Sequence, residues 1–171
     1  MHNPALDALS REQLCELIEL YAKNWLALDG VWFQSIEQKL GMDEAMEHDE
    51  RAWERFTVIE ANRIKHFLAL PDRPGLEGLA RALRLRFYAS LNKDEIIHEA
   101  DSLLYRAVEC RVQTARARKG MAFHPCKRVG MTEYAGFARA IDERIECECI
   151  SCFPDITDKT CCCAWRFTLR S

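Results

Sequence analysis

The sequence has no basic segment leading into an apolar run at its start, and nowhere do about 18 uncharged apolar residues follow one another, the length that a membrane helix needs. It is read on that ground as an unexported, cytoplasmic chain with no membrane partner. Charge of one sign is also missing. With a formal net charge of −3, the chain lacks the basic excess with which proteins neutralise phosphates, so nucleic acid is not an expected partner. Gly (7) and Pro (5) are few, while hydrophobic residues reach 49% and charged ones 30%, a globular balance and not a disordered one. Internal repeats, low-complexity tracts, a Gly-rich phosphate loop and a Ser-His-Asp arrangement are likewise missing. Glu95-Ile96-Ile97-His98 has the Glu-x-x-His spacing of di-iron bundles, but a second such motif is lacking, so it is read as incidental.

What the sequence does have is nine cysteines. In a reducing compartment an odd number argues against a complete disulfide framework. Their placement is uneven. Cys15 stands alone in the first half, and the others crowd the segment from Cys110 to Cys163, whereas inert core thiols would scatter with the core.

The chain reads as α+β: long N-terminal helices (1–70), then a small antiparallel sheet with helices and a cysteine-rich metal site (76–171). Ser10 with Gln13 forms a capping-box pattern, so a helix should start at Arg11. Apolar residues then recur at steps of three and four to Gly41, with Asp29-Gly30 as a point of kinking. Between Trp25 and Phe33 this helix is apolar on nearly every side and must be enclosed, which predicts a homodimer. A second helix, capped by Asp43, ends before Pro71; a third covers 76–91. Beyond Asn92 the period falls to 2. A hairpin is expected at 95–100 and 103–112, with Val108, Cys110 and Val112 on one face, then short helices at 113–119 and 132–141, and strands at 144–150 and from Cys163 onward.

Cys149-Ile150-Ser151-Cys152 is a C-x-x-C, the spacing at which a turn at a strand end lets two thiolates grip one tetrahedral ion. Cys126 follows Pro125 in a loop, and Cys163 begins the strand that would pair back on 144–150, so Cys126, Cys149, Cys152 and Cys163 are the expected ligands of one zinc ion. Cys161 is the second choice for the fourth place. Cys162 should point away, because successive side chains of a strand alternate in direction. Cys110 and Cys147 are read as buried thiols, and Cys126 beside His124 as too local a pair to be a nucleophile and its base.

The segment His124-Pro125-Cys126, Gly136-Phe137-Ala138 opening a helix, Cys149-x-x-Cys152 and Cys163-Ala164-Trp165 resembles the 4-vinyl reductase-like small-molecule-binding domain over about residues 90–170. The resemblance implies zinc at those cysteines and a small apolar or aromatic ligand. Two departures stand out: Cys149 replaces the family's glutamate, and the loop before Cys163 is longer. The whole chain is similar to cytosolic bacterial proteins grouped with aminothiazoline-carboxylate hydrolase-like sequences, which implies a hydrolase.

Four thiolates would fill the coordination sphere, so the leading expectation is a small-molecule-binding, sensor-like protein with structural zinc. Its pocket is expected between helix 76–91 and the sheet, lined by Phe87, Tyr88, Tyr105, Phe137 and Trp165. The alternatives are a metal-dependent hydrolase and a redox protein with an iron–sulfur cluster. The Glu47, Glu50 and Glu54 ridge reads as a solvated face, and His48 and His66 as surface or packing residues. The basic cluster of Arg111, Arg116, Arg118, Lys119, Lys127 and Arg128 reads as a solvated face, or as charge that offsets a thiolate-rich site.

Overall fold

A computed structural model describes residues 3–170. Two long helices lead the chain: α1 (Arg11–Leu40) and α2 (Met42–Phe67). The capping box at α1 forms as the sequence predicts, with the Ser10 hydroxyl accepting from Gln13 N and the Gln13 side chain accepting from Ser10 N. Asp29-Gly30 does not split α1; one glycine costs about 1 kcal/mol in a helix, too little to end thirty residues of it. Gly41, at a φ of 93°, makes the sharp reversal into α2, so Asp43 sits in the first turn and not at the cap.

After α3 (Gly75–Leu83) the helical pattern stops short of the predicted 91. The cause is Arg86. Its backbone turns extended and its guanidinium goes into the core, with Nε 2.9 Å from Glu60 Oε2 and Nη2 2.7 Å from Glu133 Oε1, and a one-turn 3₁₀ helix (Phe87–Ser90) follows. A buried arginine is tolerated only where carboxylates surround it, and periodicity cannot foresee such a pairing. The Trp53, Tyr134 and Phe137 rings stack around the same guanidinium.

The strands β1 (Lys93–His98), β2 (Ser102–Glu109), β3 (Ile145–Cys152) and β4 (Cys163–Leu169) form one antiparallel sheet in the order β1-β2-β4-β3. Two helices, α4 (Arg111–Arg118) and α5 (Lys127–Ile141), lie between β2 and β3 in sequence. The fold is therefore α+β. The expected inner face of the hairpin is reversed: Leu103, Tyr105 and Ala107 are buried, Val108 lies on the outer side, and Val112 belongs to α4. A sequence period of 2 gives two faces but not which one is covered, and here α3 and α5 decide it.

The main core joins Ala61 of α2, Leu79 and Leu83 of α3, Phe137, Ala138 and Ile141 of α5, and Leu103, Tyr105, Trp165 and Phe167 of the sheet. At the α2–α5 crossing the helices approach closely. A Cβ on Gly136 would stand 2.7 Å from Thr57 Cγ2, and the buried Thr57 hydroxyl donates to Glu133 O at 2.8 Å. Asp142, fully buried, ties α5 to α3 and β3: it accepts from Gly75 N (2.9 Å), from Arg144 N (3.1 Å), and from the Arg144 guanidinium. The Arg144 pair holds its carboxyl far below the usual carboxylate range. A second core of Phe33, Ala45, Met46, Trp53 and Val129 fastens α1 to α2 and α5. Among the described residues no helix is long and apolar enough to cross a membrane.

Candidate functional site

The C-x-x-C would put its two thiols on opposite faces of a regular strand, because they are an odd number of residues apart. A bulge corrects this. The register of β3 shifts between Cys149 and Ser151, so that Cys149 lies opposite Trp165 and Cys152 opposite Cys163. Both cysteines thereby share the inner face. The start of α5 is anchored to the end of β3 by Lys127 N donating to Phe153 O (3.0 Å), and this brings Cys126, the residue before α5, up to the pair.

Cys126, Cys152 and Cys163 thus meet, with Cys152 in hydrogen-bonding contact with each of the other two. The Cys126 contact, with burial, pushes the Cys152 thiol well above the ordinary range against the opposing pull of Cys163, and the Cys152 contact, with burial, does the same to Cys163. Cys149 sits beside them, half-exposed. Trp165 turns its buried Nε1 toward the Cys163 thiol without completing an aligned hydrogen bond. Among the described residues, however, no group of three or more His, Cys, Asp or Glu side chains stands where it could hold one metal ion. Cys161 turns instead to Asp158 (3.4 Å), Cys162 to Val108 O (3.6 Å), and burial raises Cys110 to about 12.

The thiol contact forms one end of a cavity of about 370 Å³. Its walls are α1 from Lys23 to Gln34, Asp49 and Trp53 of α2, Tyr88, α4, the first half of α5, and the sheet at Ala107, Cys152, Cys163 and Trp165. It lies on the α1 and α4 side of α5, and not between α3 and the sheet. Of the expected lining residues, Tyr88 and Trp165 reach it. Phe87 packs at a tilt on Trp25 (4.5 Å), Tyr105 likewise on Tyr134 (5.3 Å), and Phe137 fills the core at 0% exposure.

Polar groups gather at one end. His124, 8% exposed, places Nδ1 3.2 Å from Cys126 Sγ and Nε2 3.4 Å from Asp49 Oδ2, while its ring packs on Phe33 at 4.7 Å. Gln113 holds this loop from behind: its Oε1 accepts from His124 N (3.0 Å), and its Nε2 donates to His124 O (2.8 Å) and reaches Cys126 Sγ (3.1 Å). Asp29 enters from α1. Burial first, and the Asp49 charge second, raise its carboxyl to about 6, while His124 opposes the shift. Glu133, at the α5 wall, is raised to about 7 by burial against the opposing pull of Arg86.

Three of the six members of the basic cluster are spent on ion pairs. Arg116 clasps Glu37 of α1 through both terminal nitrogens (2.9 and 2.7 Å), Lys127 meets Asp155, and Arg128 meets Glu50, which belongs to the carboxylate ridge. Sequence reasoning passed over Asp49 and Gln113, gave Asp29 no role at a site, and set His124 aside as too local to Cys126. Asp29 registers only as half of a kinking dipeptide and Asp49 as one more acid on a charged helix, since their partners lie on other elements. No curated protein matches the chain, whereas the model of DUF6125, a family of unknown function, matches residues 7–169. That span takes in every helix and strand from α1 to β4, and the chain belongs to this family.

Proposed function

We propose that this protein binds a small, largely aromatic or aliphatic molecule in the cavity between α1, α4 and α5. The observation that carries the reading is the cavity itself. Its volume falls in the range of small-molecule sites, about 300–1,000 Å³, and an apolar wall that includes Trp53, Val129 and Trp165 faces a few convergent polar groups, Asp29, Asp49, His124 and Cys126. The resemblance to the vinyl reductase-like domain supports the same class of ligand. Indole serves as the probe, measured by calorimetry. Binding should weaken about tenfold or more in Ala27→Trp, which fills the cavity from the exposed helix α1 without touching the core. Equal binding by both proteins would remove the support for this reading.

Zinc at Cys126, Cys149, Cys152 and Cys163 is a second reading, favoured by the contact of three of these thiols. It requires the four to draw together around an ion at about 2.3 Å each, an arrangement in which they do not now stand. The metal content of freshly purified protein decides it, and colour separates zinc from an iron–sulfur cluster.

A further inference from the structure

Cys126, His124 and Asp49 stand in a row at the polar end of the cavity: sulfur to Nδ1 at 3.2 Å, and Nε2 to carboxylate at 3.4 Å. Such a row lets an imidazole take a thiol proton while a carboxylate behind it fixes the ring and steadies its charge. In sequence the two stand only two residues apart, too local a pair to be read as a nucleophile and its base. The loop before α5 removes that objection. Gln113 pins both the N–H and the C=O of His124, bending the backbone so that ring and thiol meet, and the Gln113 amide itself donates toward the sulfur. Cys126 is itself the N-cap residue of α5, a helix of 15 residues, so the positive end of that helix dipole lies beside it. Phe33 covers the ring from the α1 side. All three members of the row line the cavity.

We propose that Cys126 is a nucleophile toward a small activated acyl compound, an ester or thioester, held in the cavity, with His124 as general base and Asp49 as the residue that positions it. The proposal rests on the cavity being the ligand site. The Cys126 Sγ–H proton passes to His124 Nδ1 as sulfur bonds to the acyl carbon. The bond from that carbon to the leaving oxygen or sulfur breaks, and the leaving group takes the proton from Nδ1. Water then adds to the acyl–thioester, giving its proton to Nδ1, and the carbon–Sγ bond breaks as the thiol recovers that proton. The net reaction is hydrolysis of the ester or thioester to acid and alcohol or thiol, with no oxidant or second substrate.

The test uses p-nitrophenyl acetate on the full chain, following p-nitrophenol release and locating the acetyl group by peptide mass mapping. The expected result is an acetyl group on Cys126. Acylation should fall by about 100-fold or more in Cys126→Ser and in His124→Ala, with partial rescue of the latter by added imidazole, which a merely structural histidine would not allow. Asp49→Asn should lower the maximal rate about tenfold or more with the KM for the probe little changed. Acetylation spread over Cys15 and other exposed thiols, or a His124→Ala variant that is folded yet unimpaired, would overturn the proposal. So would stoichiometric zinc that is released only when Cys126 is blocked. If indole binds but no acyl group forms, the cavity reading stands and this one falls; if the Ala27→Trp variant binds indole and is acylated as well as the native protein, the cavity reading falls and takes this one with it.

Discussion

At the scale of single residues, the site is set by acids that burial has pulled away from their usual ionisation. Asp29 ionises near 3.8 in the unfolded chain and near 6 in the folded one, so between these values the native state holds the extra proton. Its contribution is therefore most favourable below about pH 4 and is lost as pH rises through about 6. Removing the charge should reverse the loss. Asp29→Asn is expected to stabilise the fold by about 1–2 kcal/mol more at pH 8 than at pH 4, by urea unfolding at the two values, after discounting for the carboxylate's partial access to solvent. A stability difference independent of pH would show that Asp29 is solvated like any surface acid.

At the scale of elements, the crossing of α2 over α5 is as tight as its glycine permits. An alanine in an exposed helix usually gains about 1 kcal/mol over glycine, but a Cβ on Gly136 would stand 2.7 Å from Thr57 Cγ2, and overpacking costs about 1–3 kcal/mol. Contact should win. Gly136→Ala is expected to lower stability by about 1–2 kcal/mol, and adding Thr57→Ser, which keeps the hydroxyl bonded to Glu133 O and removes the methyl, should restore most of it. Chemical denaturation of the single and double variants checks this; an unimproved double variant would place the strain elsewhere. Such elements also show what a sequence can and cannot display. The helices α1 and α2, the change of period after Asn92, and the strands bearing Cys149 and Cys163 follow from local rules and were legible. The short α3, the covered face of the hairpin and the cavity were not, because each depends on a partner far away in the chain: Arg86 with Glu60 and Glu133, Tyr105 with Tyr134, Asp49 with His124. The bulge in β3, invisible to alternation, is what brings both ends of the C-x-x-C to one face.

At the scale of the whole molecule, α1 is the element with an unspent surface. Leu14, Ile18, Tyr21, Trp25, Leu28 and Trp32 recur at steps of four and three along one side; Trp25 is partly spent on Phe56 and Phe87, while Leu28 and Trp32 are each 69% exposed. That spacing is a heptad seam, which suits another helix of equal length, and a second copy of the chain supplies one. A dimer is therefore expected at micromolar concentration by sedimentation, and Leu28→Glu should yield a monomer; a native chain that stays monomeric throughout would exclude the seam. The opposite side of α1, through Leu26, Gly30 and Phe33, is a wall of the cavity. If both proposals hold, one helix meets a copy of the chain on its outer side and encloses a guest on its inner side. Any shift of α1 that favours one event bears equally on the other, since coupling between two binding equilibria is reciprocal. The amount of protein present then becomes, in effect, a dial on how readily the guest is held.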